Sequence, residues 1–281
     1  MWLDPAPIAE DIHLAYQSYF THGAQDGKPS LSTRIRSFCY ASYQFLQQIP
    51  AAMSGLGAAR QKMQQMFLYD LKPGKLLDVG CGDGKFLNLM RGLGWAVDGV
   101  DFDSKAIINA KEKYGLNLHC GALEGVNFPK ESFDAVTMSH VIEHLPDPLL
   151  LLQEVRRILK PGGRLVVTTP NSDGYGHQKF AAYWFGIDPP RHMKIYSPRT
   201  LRICAEKLGF REIRTITVAT NADIFLGGSF SIRDAPDHRT NAHPQPNPAR
   251  VAKSIFLQYW QHSQLSKQPN LGEEAVLICN K

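Results

Sequence analysis

From residue 75 onward the chain alternates short apolar runs with segments of helical spacing, and few folds accommodate that alternation. LLDVG (76–80) is too short for a helix and ends in glycine, whereas KFLNLMRGLG (85–94) has helical periodicity. WAVDGVD (95–101), LNLHCG (116–121), FDAVTMS (133–139), RLVVTTP (164–170) and REIRTITVA (211–219) repeat the strand pattern. Between them lie SKAIINAKEKYG (104–115), PDPLLLLQEVRRILKPGG (146–163) and SPRTLRICAEKLGF (197–210). Ser104 is the expected N-cap of the first, and the second opens on proline and stops at Pro-Gly-Gly. Such spacing predicts parallel βαβ units with right-handed crossovers, hence an α/β fold with a doubly wound sheet. EEAVLICNK (273–281) is one further strand.

Four zones follow. Residues 1–72 read as an N-terminal helical cap, with Tyr16, Tyr19 and Phe20 on one face, and 73–220 form the core. Residues 221–272 are an insertion made of a polar loop, RDAPDHRTNAHPQPNP, expected to be mobile, and a covering helix, RVAKSIFLQYWQHS. Residues 273–281 return to the core sheet.

Composition narrows the class. A hydrophobic fraction of 43% in 281 residues supports a sizeable core. The net charge is +5, but lysines and arginines are scattered, with no run longer than Arg156–Arg157. No basic stripe is visible, so no nucleic-acid partner is expected. The five cysteines are odd in number and form no CxxC pair, which argues against a disulfide framework or zinc site and for a cytoplasmic setting. No signal peptide or membrane span is read.

The most specific motif is LLDVGCGDGKFL (76–87), a strand, then glycines at 80, 82 and 84, then a helix. Glycines there let a ligand approach the backbone beside the free N–H groups of a helix start. A dinucleotide fingerprint needs glycine at position 85, which is lysine, and a phosphate loop needs Ser or Thr at position 86, which is phenylalanine. The spacing suits a ligand with a carboxylate but no pyrophosphate. At the end of the next strand, Asp101 is placed to accept from both hydroxyls of a ribose, with Phe102 packing on an adenine face.

LLDVGCGDGKFL, VDGVDFD, ESFDAVTMSHVIEHLPDP and LQEVRRILKPGGRLVVTTPN together resemble the class I S-adenosylmethionine (SAM)-dependent methyltransferases, over about residues 74–220. The resemblance implies a Rossmann-like sheet of seven strands, mostly parallel, with the last strand antiparallel. It implies SAM as cofactor and S-adenosylhomocysteine as product. Carried over by motif, Gly80, Cys81 and Gly82 approach the methionine part of SAM, and Asp78 orients its amino group. Asp101 takes the ribose, Ala122 and Leu123 contact adenine, and Ser139 and His140 lie beside the sulfonium. Tyr19 and His22, in a YQSYFTH stretch (16–22), are expected to close over SAM.

SHVIEHLPDP and NSDGYGHQKFAAYWFGIDPPRHMKIYSPRTL resemble the branch that contains ubiquinone-biosynthesis O-methyltransferases. Some members bind a divalent metal through Glu-x-x-Glu-His. Here the pattern is His140-Val141-Ile142-Glu143-His144, so no metal is expected. The expected reaction is methyl transfer to a small-molecule acceptor, at oxygen, by a monomer or homodimer; the alternative is a macromolecular acceptor, tRNA or protein, or SAM binding without catalysis. An oxygen acceptor must lose a proton, for which His140, His144 and His192 are candidates alongside a purely structural role. Tyr183, Trp184, Arg191 and His192 are the expected acceptor contacts, Trp184 for a flat group and Arg191 for an anionic one.

Overall fold

The computed structural model describes residues 54–235 and 247–281. Tyr19 and His22, and most of the polar loop expected to be mobile, lie outside the described residues. Seven strands form one sheet: β1 (Lys75–Val79), β2 (Ala96–Asp101), β3 (His119–Cys120), β4 (Phe133–Ser139), β5 (Leu159–Pro170), β6 (Arg211–Val218) and β7 (Glu274–Asn280). Their order is β3-β2-β1-β4-β5-β7-β6. Strands β1 to β5 pair in parallel, and β7 runs antiparallel between β5 and β6. Because β2 and β4 flank β1, the chain order reverses there, and a crevice opens at the carboxyl end of β1.

The sheet is covered on both faces, as buried strands without a polar side require. Leu77, Val136 and Val167 point to one face, packed on Leu152 and Val155 of α5 (Pro148–Ile158) and Leu201 of α7 (Pro198–Lys207). Leu76, Ala135 and Val166 point to the other, against α2 (Lys85–Gly92) and α3 (Ser104–Tyr114). The remaining described α-helices are α1 (Leu56–Gln64), the short α4 (Leu123–Val126), α6 (Tyr175–Phe180), α8 (Ala222–Arg233) and α9 (Pro248–Gln264). No described helix is long and apolar enough to cross a membrane.

Several local expectations change. The N-cap of α3 is Asp103, whose side chain accepts from the Lys105 N–H, and Ser104 is already helical. Helix α5 stops at Ile158, and Lys160-Pro-Gly-Gly belongs to β5, where Leu159 pairs with Phe133 before a register shift. The third strand shrinks to two residues. Helix α8 stands where the sequence shows no helical period, because Gly227-Gly228 interrupts its pattern; its Phe225, Leu226 and Phe230 build a third cluster with Phe180, Trp184 and Ile195.

The scattered cations also converge. Lys130, Arg156, Arg157, Lys207 and Lys281, with Glu131, line a cavity of about 560 Å³. It lies at the amino end of the parallel strands, opposite the crevice.

Candidate active site

The glycine loop is built by backbone geometry. Gly80 has φ +75°, and a Cβ there would collide with Val141 Cγ2, so the loop and the segment after β4 are in direct contact. Gly82 has φ +52°, and a Cβ would meet nothing within 4 Å, which leaves an open cradle beside its backbone. Its N–H donates to Asp101 Oδ2 (2.8 Å), and the Asp103 N–H donates to Asp101 Oδ1 (2.8 Å). Asp101 therefore braces the loop as well as facing it, and each oxygen keeps a second lone pair. Phe102 is 74% exposed at the strand end. Ala122 is half-buried, whereas the Leu123 side chain belongs to the core, which leaves its backbone rather than its side chain for an adenine.

Asp78 is buried in β1 and accepts from Thr137 Oγ1 (2.6 Å). Burial pushes its carboxyl up to about 7, against the Thr137 hydrogen bond and with the Asp101 charge adding to the rise. Such a carboxylate is short of positive charge. Cys81 is buried, and burial, then the charges of Asp78 and Asp101, push its thiol up, which keeps it inert as a nucleophile.

Beyond β4, His140 sits between two carboxylates: Nδ1 is 3.1 Å from Glu143 Oε1 and Nε2 is 2.9 Å from Glu274 Oε1. Carboxylates accept, so both ring nitrogens carry protons and the ring is an imidazolium. Burial alone pushes it down, but the hydrogen bonds and charges of Glu143 and Glu274 outweigh that and hold it at about 10. His140 therefore cannot take a substrate proton, and the base expected there is corrected to an ion-paired cation. Glu143 also accepts from Thr169 Oγ1 (2.9 Å), and Glu274 from Asn221 Nδ2 (2.9 Å). Ser139 accepts from Thr168 Oγ1 (3.1 Å) at the same strand ends.

His144 and His192 meet edge to face with ring centroids 4.7 Å apart. His144 Nδ1 is 3.1 Å from the Arg191 carbonyl oxygen, and His192 Nδ1 is 2.8 Å from that of Gly186. A carbonyl only accepts, so both Nδ1 atoms carry protons, and burial holds the His144 imidazole below the usual histidine range, with the Glu143 charge opposing it.

Two acceptor contacts need correction. Trp184 is 1% exposed; its Nε1 donates to Glu273 Oε2 (2.9 Å) and its ring stacks on Phe225, so it is core. Arg191 donates from Nε to Asp188 Oδ2 (2.9 Å) and also pairs through Nη2, so its charge is already matched. Tyr183 remains 39% exposed. Glu273, Glu274, Thr169, Asn221 and Phe225 went unnoticed in the sequence. Only the adjacent pair of acids opening a buried strand offered a signal.

Residues 51–215 match a protein family described as "Methyltransferase domain", more than half of the chain. The chain belongs to this methyltransferase family. Within it the chain is of the class I, SAM-dependent type. It is similar to a "Ubiquinone biosynthesis O-methyltransferase" of Coxiella burnetii, 32% identical over 122 residues, 42% of this chain and 50% of that protein. A "Probable S-adenosylmethionine-dependent methyltransferase" of Mycolicibacterium smegmatis is 34% identical over 97 residues, 34% of this chain and 38% of its own length. The chain thus spans about half or less of the length of these relatives. Among solved structures, a SAM-dependent methyltransferase from Archaeoglobus fulgidus superposes with a TM-score of 0.53 at 22% identity, over 80% of this chain and 94% of that one. A phosphoethanolamine N-methyltransferase from Haemonchus contortus gives 0.51 at 21%, over 80% and 53%. These share the fold.

The crevice of this methyltransferase fits the family's cofactor. The Gly82 cradle admits a ligand at the backbone, and the charge-poor Asp78 and the Asp101 carboxylate match an ammonium and a ribose diol.

Proposed function

We propose that this chain transfers the methyl group of SAM to a hydroxyl of a small-molecule acceptor. In this reading the Gly80–Gly84 loop holds the methionine part, Asp78 its ammonium, Asp101 the ribose and Phe102 the adenine. The acceptor lies over the segment after β4, near Tyr183. The observation that carries the oxygen assignment is the pair of imidazoles at 144 and 192, packed edge to face after β4 and each oriented by a carbonyl on Nδ1. In-line displacement at a sulfonium needs mainly alignment and exclusion of water, but a hydroxyl acceptor must also give up its proton. In this reading an imidazole of the pair receives it, while Glu143, pushed up by burial but held at about 2 by its hydrogen bond to the His140 cation, stays a carboxylate. The similarity to ubiquinone-biosynthesis O-methyltransferases points the same way.

The test uses labelled SAM against a panel of phenols, catechols and amines. Hydroxylated acceptors are expected to turn over, and His144→Ala to lower that turnover by about 100- to 10,000-fold. Asp101→Ala should weaken SAM binding by about 1.5–3 kcal/mol in calorimetry. Turnover of amines alone would overturn the oxygen assignment, and an unchanged SAM affinity would remove Asp101 from the ribose.

A further inference from the structure

We propose that the cavity at the amino end of the sheet binds a phosphate monoester, with Arg156 and Lys207 holding its phosphoryl dianion. The cavity has a volume of about 560 Å³, within the roughly 300–1,000 Å³ of small-molecule sites. It lies at the other end of the strands from the glycine loop, so the proposal stands apart from the methyl-transfer reading. Separate segments bring cations to it: Lys130 before β4, Arg156 and Arg157 in the last turn of α5, Lys207 in that of α7, and Lys281 after β7.

Three of these cations are committed to the protein. Arg157 donates from Nε and Nη2 to the two Glu154 oxygens (2.7 Å each) and from Nη2 to the Phe128 carbonyl (2.6 Å). Lys281 Nζ donates to Glu131 Oε1 (3.2 Å) and to the Leu159 carbonyl (2.8 Å), and Lys130 Nζ lies 3.5 Å from the same Glu131 oxygen. Arg156 and Lys207 differ: among the described residues neither has a hydrogen bond or ion pair, and the Arg156 Nε–H is buried. A buried N–H without an acceptor is destabilising, and such groups are few in a folded chain. The Arg156 guanidinium reaches across to the turn that ends α7, where a Cβ at Gly209 would lie 3.6 Å from its Nη2. It therefore stands beside the end of the helix that carries Lys207.

Basic residues in a last helical turn ordinarily answer the negative end of the helix, but both helices here are closed by other donors. At the end of α5 the Arg157 carbonyl accepts from the Glu131 N–H (3.1 Å) and the Ile158 carbonyl from the Ser132 N–H (2.8 Å). At the end of α7 the Glu206 carbonyl accepts from the Gly209 N–H (3.0 Å) and the Ala205 carbonyl from the Phe210 N–H (3.1 Å). Two unmatched cations on one cavity call for two negative charges on one compact group. A phosphate monoester above its second pKa of about 6 supplies them. The guanidinium fork takes two of its oxygens and the ammonium a third. A carboxylate brings one charge and two oxygens, and leaves one cation unmatched. Glu131 opposes any anion, but Lys130 and Lys281 flank it. The rest of the lining includes Gln153 and Leu208, which suits a short polar organic group on the phosphate.

The test titrates the full chain with methyl phosphate by calorimetry, in a phosphate-free buffer at about pH 8, where the probe is a dianion. One saturable site per chain is expected. Dimethyl phosphate and acetate, with a single charge each, should bind at least about tenfold more weakly, because one cation stays unmatched. Arg156→Gln and Lys207→Gln, checked for folding by circular dichroism, should each weaken methyl phosphate by at least about tenfold. Arg156→Lys keeps the charge without the fork and should restore only part of that loss. Lys207 is exposed, so its variant decides the matter should Arg156→Gln fail to fold. Lys111→Gln, also exposed and on α3, removes the same charge elsewhere and should change nothing. Saturating SAM should leave methyl phosphate affinity unchanged, because the crevice lies at the other end of the strands. No saturable binding in the wild type, undiminished binding in Lys207→Gln, an equal loss in Lys111→Gln, equal binding of acetate, or displacement by SAM would overturn the proposal.

Discussion

The two ends of the sheet are electrostatic opposites. At the carboxyl end Asp78, Glu143, Glu273 and Glu274 are all buried, and His140 is the cation set among them. At the amino end Lys130, Arg156, Arg157, Lys207 and Lys281 surround a single carboxylate in an open cavity. The cations are cheap to keep, because Lys130 and Lys207 are exposed and water screens them. The buried carboxylates are costly, since desolvation opposes their charge unless hydrogen bonds or a counter-charge offset it. The comparison teaches where the chain accepts that cost: beside the glycine loop, where a ligand carrying a sulfonium and an ammonium supplies what is missing.

The sharpest way to break this contrast is Gly82→Val. It fills the open cradle and forces a branched residue to φ +52°, a conformation that costs about 1–3 kcal/mol. SAM binding should vanish in calorimetry while the far-ultraviolet spectrum stays that of an α/β protein. Next is Glu274→Ala, which strips His140 of one carboxylate and leaves Asn221 without its acceptor. Loss of one partner from a buried pair costs about 3–5 kcal/mol. The His140 side chain is 36% exposed, so about 2–3 kcal/mol is expected in urea unfolding. A loss below about 0.5 kcal/mol would mean that the pair is solvated and the end is not as charge-starved as described.

A smaller effect concerns protons. Asp78 is raised from 3.8 to about 7 and Glu273 from 4.5 to about 7, both chiefly by burial. Both folded values lie above the unfolded ones, so their contribution to stability is intact below about pH 4 and is lost as the pH rises through 7. An ammonium beside Asp78 pulls its carboxyl back down, against the Asp101 charge and with Cys81 staying a neutral thiol. SAM binding near pH 7 should therefore release a fraction of a proton and tighten from pH 6 to 8. Calorimetry in two buffers of different ionisation heat measures it, and proton uptake would reverse the assignment. Least affected should be the amino end: Lys130→Ala with Lys207→Ala should change SAM affinity and unfolding free energy by no more than about 0.5 kcal/mol.

The fold was legible because its signals are local. The run LLDVG, the glycines after it, Pro148 at the start of α5 and the Ser197 capping box with Thr200 each act within a few residues. The same locality made it readable that Asp78, Gly82 and Asp101 lie together, since strand end, loop and next strand end are neighbours in a βαβ unit. Trp184 misled because an aromatic in a loop over the crevice looks available until Glu273, 89 residues on, is seen to hold its indole.

By itself, then, the sequence determined the α/β class, the number and order of the strands along the chain, the glycine loop and the family, all of them properties of segments with a fixed period or spacing. Only the tertiary structure decided the charges and the partnerships. It made His140 a cation by setting Glu143 three residues away and Glu274 134 residues away on its two nitrogens. It joined the loop that carries His192 to the turn of Glu143 and His144 through two backbone hydrogen bonds, from Met193 and Lys194 to the Glu143 carbonyl, and it gathered scattered lysines and arginines around one cavity. The protonation state of a side chain depends on what lies within a few ångströms of it, and in a sheet ordered β3-β2-β1-β4-β5-β7-β6 those neighbours come from distant parts of the chain.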